Sequence, residues 1–521
     1  MTRTHSEIVV IGGGHNGLVA ATYLARAGHR VRVLEARSEL GGAVASSEVF
    51  EGVAARLSRF SYLVSLLPTS IIDELGLRLE LRSRQVRSYT PVGAGGLLIE
   101  RQEGRLTRES FRALTGDDRE YQAWLAFEAG LRELAAVIAP TLTEPLPRAA
   151  ELHAQVAQEL WSSVVERPLG QFIESKFADD TVRGLVLTDA LIGTFASAHD
   201  PSLRQNRCFL YHMIGNGSGE WKVPLGGMGT VTAELVRVAQ EAKVPIETCC
   251  PVDAIKPFPG GGATVCLADG QSISADTILV NCAPATLQRL LGEPCQPPVG
   301  SQIKINIVMR RLPRFRSGIE PATGFAGTLH LGQRYARLQE AYEDALAGQI
   351  PDPVPCEVYC HTLTDGSILD PELRAAGYHT LTLFGMHAPA SLFTTDPAGS
   401  RERAKDAALR SLRTVLAEPL EPCLARDRRG EPILASMGSL AHLMQETSAD
   451  GIFLRDYIHE GIGQIWADSL EHPARHAGWV LIEEQAEGGD MLAARARERP
   501  DFLAGFDRVC EGGGVALYRR R

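Results

Sequence analysis

Gly12, Gly14 and Gly17 stand at the spacing that lets a peptide backbone cradle a pyrophosphate. Gly12 permits a tight turn, Gly14 keeps the backbone bare where phosphates approach, and Gly17 lets a helix pack close to a sheet. His15 and Asn16 lie inside the motif. Ile8, Val9, Val10 and Ile11 form a β-like run before it, a helical stretch over 18–27 follows, and Gly28 closes that stretch. The N–H groups that open such a helix carry a partial positive charge, which suits phosphate oxygens. A second β-like run over 31–34 ends at Glu35, close to the roughly 20-residue spacing of an acid that holds ribose hydroxyls. An ordinary βαβ unit with a glycine-rich turn is the alternative. It leaves the three spaced glycines and the strand-end acid unexplained.

Glu35 is followed by Ala36, Arg37 and then the pair Gly41-Gly42. A glycine pair just past the ribose acid offers backbone N–H groups and open space. That suits FAD better than NAD, because the ribityl chain and isoalloxazine of FAD run further along the sheet edge. A plain turn at 41–42 is the alternative. The cofactor-binding set read from these motifs is Gly12, Gly14, His15, Asn16, Gly17, Glu35, Ala36, Arg37, Gly41 and Gly42.

The run from Val10 to Gly42 resembles the FAD fingerprint of the amine oxidase and phytoene desaturase superfamily. Leu57-Ser58-Arg59-Phe60-Ser61-Tyr62, Leu191-Ile192-Gly193-Thr194-Phe195, Val223-Pro224-Leu225-Gly226-Gly227-Met228-Gly229, Ser301-Gln302-Ile303-Lys304-Ile305-Asn306 and His361-Thr362-Leu363-Thr364-Asp365 are similar to one branch of it. That branch holds the phytoene dehydrogenase-related proteins, the desaturase-type β-carotene ketolases and the pyridine nucleotide-disulfide oxidoreductase domain-containing protein 2 group. The resemblance covers residues 6–480 and implies FAD as cofactor. It also implies that the backbone of Val252 meets the adenine and that the strand ending at Ala283 lies near the pyrophosphate. It puts the 224–229 segment near flavin and substrate, with a plain helix cap as the alternative. The chain departs from the pattern at its end. Phe506 to Val515 keeps only the glycine cluster, a charged helix is expected within 478–500, and the closing helix of the flavin site is missing or replaced.

At 521 residues two domains are expected. The fold class read from the elements is α/β, a Rossmann-like FAD-binding domain interleaved with an α+β substrate or cap domain. The first takes 1–100, 211–300 and 441–521, and the second 101–210 and 301–440. Residues 101–210 read as mainly helical, with Tyr121, Trp124, Phe127, Leu131 and Leu134 recurring at three and four. Strands are expected over 244–248, 250–255, 263–267, 271–273, 277–284, 303–309 and 378–386, and helices over 230–242 and 401–416. The apolar run 60–67 reads as a core helix. Its alternative is a face toward an apolar substrate or a membrane.

The formal charge of −10 argues against nucleic acid as a partner. No run of about 18 apolar residues is long enough to span a bilayer, and the short polar opening lacks a signal-peptide pattern. A cytoplasmic protein is expected, with peripheral membrane contact left open and the oligomeric state unread. The ten cysteines show neither a Cys-x-x-Cys pair nor a disulfide framework, so no metal or dithiol centre is expected.

No second glycine motif joins a strand to a helix, because Gly215 to Gly219 runs into Trp221-Lys222. A dedicated nicotinamide domain is therefore not expected. Electrons would leave the flavin for oxygen, a quinone or a protein acceptor. The expected reaction moves a hydride from a small apolar, isoprenoid- or carotenoid-like substrate to the flavin, since the cofactor carries the redox chemistry. No residue stands out as the base for the accompanying proton. Arg59 and Tyr62 are candidates for the flavin or substrate cavity, with an ion pair and a buried phenol as their alternative. His212, His361 and His387 read as satisfied structural histidines. The competing function is a non-catalytic binding protein on the same scaffold, as in Rab GDP-dissociation inhibitors, with flavin binding weakened by the altered C-terminus.

Overall fold

The computed structural model describes residues 3–426 apart from 49, 51–52, 146, 148 and 295–298. Beyond them it describes 432, 434–439, 479–483, 492, 496–497, 499, 501–512 and 515–521. Two sheets and a layer of helices carry the architecture.

The first sheet has strand Arg3–Ile11 at its centre. It pairs in parallel with Ser272–Val280 on one side and Val31–Leu34 on the other, and Val31–Leu34 pairs in turn with Ile246–Glu247. Both faces are covered, which is why these strands read as continuous apolar runs. Val10 and Val33 pack on Leu18 and Ala21 of helix His15–Arg26 and on Leu235 of helix Met228–Glu241. Val9, Ile11 and Leu34 pack on Ile255, Val265 and Leu290 behind them. The segments 271–273 and 277–284, expected as two strands, are one nine-residue strand, Ser272–Val280. It runs parallel to Arg3–Ile11 over its length while its first half also pairs antiparallel with Ala263–Leu267. Two partners hold it straight through its polar residues.

The second sheet has seven strands in the order Leu434–Ser439, Ile303–Met309, His379–Gly385, Cys356–Tyr359, Thr328–Leu331, Val86–Val92 and Gly95–Glu100. Its strand Ile303–Met309, second from one edge and expected to be half buried, is buried at every position. The hairpin 86–100 closes the edge of this sheet through Ser88 and Tyr89, which pair with Thr328 and Leu329. It therefore does not belong with the first sheet, where a boundary at 100 would place it. Trp479–Glu483, Val515–Arg520 and Phe506–Gly512 form a third, three-stranded sheet. Among the described residues it joins neither of the others. The helix expected within 478–500 lies mostly outside the described residues, as does all of 440–478.

Helices Arg119–Ile138, Asp180–Leu191 and Arg204–Ile214 cover the second sheet. Trp124, Phe127, Leu131 and Leu134 form the buried stripe of the first, sharing a core with Tyr359 and Phe384 of the sheet. Asp179 starts the second by accepting hydrogen bonds from the N–H groups of Thr181 and Val182. No helix among the described residues is long and apolar enough to cross a membrane.

The run 60–67 is not a helix. The N–H groups of Arg59 and Ser61 donate to the carbonyls of Ala45 and Ala43, and Val64 exchanges both backbone hydrogen bonds with Lys222. These distant partners replace the i→i−4 ladder. Lys304, on the second sheet and fully buried, holds the segment from behind. Its Nζ donates to the carbonyls of Ser58 at 2.8 Å and Phe60 at 2.9 Å. Burial keeps its pKa well below the lysine range.

Asp365 ties the 224–229 turn to the second sheet's loops. Its carboxylate accepts from the N–H of Gly226 at 2.6 Å and of Ser367 at 2.9 Å. Replacing it by alanine strands two N–H groups, which costs about 3 kcal/mol. Asp365→Ala should therefore lower the urea midpoint with little change in m, and Asp365→Asn should lower it less. Equal midpoints for all three proteins would remove the strut.

Candidate cofactor and substrate site

Two of the three glycines, Gly12 and Gly17, are required by close approach within the protein. Gly12 has φ +105°, and a Cβ there would lie 2.4 Å from the Asn281 carbonyl oxygen. A Cβ on Gly17 would lie 2.3 Å from the Gly12 carbonyl oxygen. Gly14 precedes helix His15–Arg26, and no side chain caps that helix start. The end that carries the positive half of the helix dipole is thus left to an anion. Gly41 donates its N–H to the Gly13 carbonyl at 2.9 Å and bridges to Gly14, so the two glycine motifs stand side by side. Gly41 also has φ +105°, and a Cβ there would strike Thr232.

Asn281 holds this turn and is missing from the sequence-derived set. Its Nδ2 donates to the Gly12 carbonyl at 3.0 Å and its N–H to the Ile11 carbonyl at 2.7 Å. The available signal was a lone amide ending an apolar strand. Ala283, two residues on, is buried and begins helix Pro284–Leu291.

Glu35 sits at the rim of the cradle. Its carboxylate accepts from the N–H of Gly13 at 2.7 Å and of Arg37 at 3.0 Å. Each carboxylate oxygen has a second acceptor direction, which is available to ribose hydroxyls. The N–H of Cys250 donates to the Glu35 carbonyl and that of Cys249 to the Arg37 carbonyl, both at 2.9 Å. Val252 follows directly. Ala36 and Asn16 are exposed and His15 is partly buried. Burial pulls the His15 imidazole down to about 4, so it is neutral beside the cradle. The twelve expected residues thus gather where the parallel strands end, the usual ligand edge of such a sheet. Bare backbone that a Cβ would fill, an uncapped helix start and an anchored acid fit a dinucleotide.

From Gly41-Gly42 a continuous path leads to a cavity. Residues 43–45 pair with Arg59 and Ser61, and Tyr62 is the next residue. Tyr62 lies against Tyr359 at 4.5 Å and Phe384 at 4.4 Å between ring centres. Its ring lines a cavity of about 320 Å³ between the second sheet and the helices. Arg59 does not line it, pairing instead with Glu39 at 3.7 Å beside the glycine pair. The nearby 224–229 turn is tied in through the Gly229 N–H, which donates to Ser46 Oγ at 2.9 Å.

The cavity walls differ. Trp124, Phe127, Leu131, Leu185 and Phe209 form an apolar side. The sheet side presents Arg84, Arg87, His330, Glu357 and Tyr359, and Asp189 and His212 come from the helices. Arg87 donates to Glu128 at 2.7 Å. Tyr62 donates to the Tyr359 oxygen at 3.1 Å, and Tyr359 donates to Glu357. Burial, then the neighbouring Asp189, pushes the Glu357 carboxyl up to about 8. Burial likewise raises Asp189 and both phenols.

His212 holds its Nδ1 on the Cys208 carbonyl at 2.8 Å, which is a structural bond on a cavity residue. His361 Nε2 and both ring nitrogens of His387 are buried without hydrogen-bond partners among the described residues. These two are therefore not the satisfied histidines that sequence suggested. No group of His, Cys, Asp and Glu among the described residues is gathered as metal ligands.

Two outcomes follow from this geometry. Gly14→Val and Glu35→Ala should each purify with at least about ten-fold less flavin, a loss of roughly 1.4 kcal/mol or more in binding. Full flavin in both would contradict the cradle. Glu357 has a raised folded pKa, so the folded protein holds a proton that the unfolded chain releases. Its protonated form favours folding at low pH, and that contribution is lost as pH rises through about 8. Glu357→Gln should therefore raise the melting temperature more at about pH 9 than at about pH 5. An equal effect at both would contradict the shift.

Residues 17–429 match the flavin containing amine oxidoreductase family. An uncharacterised protein of Mycobacterium tuberculosis is 42% identical over 521 residues, covering 96% of this chain and 95% of that one. Pyridine nucleotide-disulfide oxidoreductase domain-containing protein 2 of Mus musculus is 28% identical over 450 residues, covering 74% of each chain. It falls in the branch that the sequence motifs resemble. A putrescine oxidase solved with putrescine bound has the same fold, with a TM-score of 0.52 at 18% identity over 90% of this chain and 100% of that one. The family match begins just after the central strand of the first sheet and takes in the rest of that sheet, six of the seven strands of the second and the helices that cover the cavity. This chain accordingly belongs to the flavin containing amine oxidoreductase family and is an FAD-dependent oxidoreductase.

Proposed function

We propose that this chain oxidises a small molecule with a compact apolar body, which gives up a hydride inside the cavity beside Tyr62. The observation that carries the reading is the position of Tyr62. Its backbone neighbours pair with the segment just past Gly41-Gly42, and its ring lines the cavity. FAD, when bound, supplies the hydride acceptor. The chain supplies enclosure, placement and a path for the proton. Trp124, Phe127 and Phe209 offer an apolar wall that excludes water from the substrate body. A volume of about 320 Å³ is at the small end for such sites, which favours a compact isoprenoid over a long carotenoid polyene.

The row Tyr62–Tyr359–Glu357 gives a released proton somewhere to go. Tyr62 takes the proton while passing its own to Tyr359, and Tyr359 passes its own to Glu357. Glu357 takes that proton in its ionised form, a minority near neutral pH that grows as pH rises toward about 8, so the step speeds up over that range. Electrons then leave for oxygen, a quinone or a protein acceptor. The cytoplasm, or a peripheral position on a membrane that stores the apolar substrate, suits this chemistry.

Anaerobic mixing with a panel of compact isoprenoid alcohols and acids tests the reading. At least one should bleach the flavin absorbance. Ala135→Phe, which fills the cavity wall far from the cradle, should retain flavin and slow that bleaching at least about ten-fold, at a stability cost of about 1–3 kcal/mol. Unchanged bleaching in this variant would place the reaction elsewhere.

A further inference from the structure

The polar wall of the cavity holds a cation that neither the proton row nor the fold accounts for. Arg84 donates Nη1 to the Thr328 hydroxyl at 2.9 Å and lies 5.5 Å over the Tyr359 ring. Among the described residues it forms no ion pair. Its neighbour Arg87 is different, because Glu128 neutralises it at 2.7 Å. A guanidinium has five N–H donors, and enclosing one without an anion is costly. Burial accordingly pulls Arg84 below the usual arginine range.

The other titratable groups on this cavity leave Arg84 as the uncompensated charge. Glu357 accepts from Tyr359, and burial moves it toward its neutral acid. Asp189 moves the same way, because burial outweighs the cations around it. His330 takes a hydrogen bond with Thr90 at 3.2 Å and is held neutral by burial and by the two arginines. Burial also keeps His212 on its neutral side. Arg101 and Arg132, at the cavity edge, are paired with Glu220 and with Glu128, the latter shared with Arg87. A molecule entering this space meets one open positive fork on the sheet side and aromatic rings on the helix side.

We propose that Arg84 anchors an anionic end of the substrate, so that the substrate class is a carboxylate joined to a compact apolar body. The inference rests on the cavity being the substrate site. A guanidinium binds a carboxylate through two parallel hydrogen bonds, which fixes direction as well as charge. With the carboxylate on Arg84 and the apolar body against Trp124 and Phe127, one orientation of the substrate is selected. The hydrogen bond that Arg84 donates to Thr328, together with the Tyr359 ring, sets the plane of the fork.

Three probes that share one apolar body test this: phenylacetate, phenylacetamide and phenethylammonium. Binding to the holoprotein is read by quenching of tryptophan fluorescence, since Trp124 and Trp221 line the cavity, and by perturbation of the flavin spectrum. Phenylacetate should bind at least about ten-fold more tightly than the amide, the scale of one charge-assisted contact. Arg84→Gln should abolish that difference while leaving flavin content and amide affinity unchanged. Arg84→Lys, which keeps the charge and loses the fork, should fall between and decides the matter if the glutamine variant does not fold. Equal affinity for acid and amide would overturn the proposal, as would carboxylate binding that ignores both variants. Tighter binding of phenethylammonium, lost in Asp189→Asn, would overturn it in favour of an amine site. Fluorescence quenching needs no turnover. Carboxylate binding through Arg84 in a protein that no substrate bleaches would keep the anion site but overturn both the proposed function and the role of Arg84 as a substrate anchor.

Discussion

The structure depends on a place where only backbone fits. At Gly12 and Gly17 the nearest atoms are carbonyl oxygens of Asn281 and Gly12, closer to a would-be Cβ than any real contact allows. That closeness brings three elements together: the central strand Arg3–Ile11, the helix His15–Arg26 and the end of strand Ser272–Val280. It leaves an uncapped helix start facing bare glycine backbone, and it sets Gly41-Gly42 against Gly14. The direction of the chain past the glycine pair then carries residues 43–45 to Arg59 and Ser61, and so to the cavity. The cofactor edge and the cavity are joined by backbone hydrogen bonds, without a flexible linker between them.

The cradle was legible in the sequence because its logic is local. Glycine spacing, a strand before it and an acid after it all lie within 42 residues of the start. The helical layer was legible for the same reason, since Trp124, Phe127, Leu131 and Leu134 repeat with the period of one helix face. Elements that depend on a distant partner were not. The run 60–67 has the apolar content of a core helix, yet the N–H groups of Ser61 and Val64 find the carbonyls of Ala43 and Lys222. The hairpin 86–100 follows the cofactor motifs in sequence but pairs with a strand more than 200 residues away. The polar wall could not be read at all. Arg84, Asp189, His212, His330 and Glu357 come from five separate elements, and none has a neighbour in sequence that marks it.

The two faces of the cavity divide the work. Aromatic and aliphatic side chains of the helices offer area and exclude water. The sheet side carries charges that are expensive to enclose, and their pairing shows how the cost is met. Arg87 is neutralised by Glu128, Glu357 shares a hydrogen bond with Tyr359, and Lys304 is held by two carbonyls at the back of the same sheet. A site of this kind sorts ligands by shape on one side and by charge on the other.

The most direct measurement is a crystal structure of the purified protein with FAD bound. The account predicts the adenine and ribose between Glu35 and Val252, the pyrophosphate over Gly12 to Gly17, and the isoalloxazine past Gly41-Gly42 at the Tyr62 end of the cavity. A dinucleotide bound away from these glycines, or an isoalloxazine separated from the cavity by protein, would contradict it.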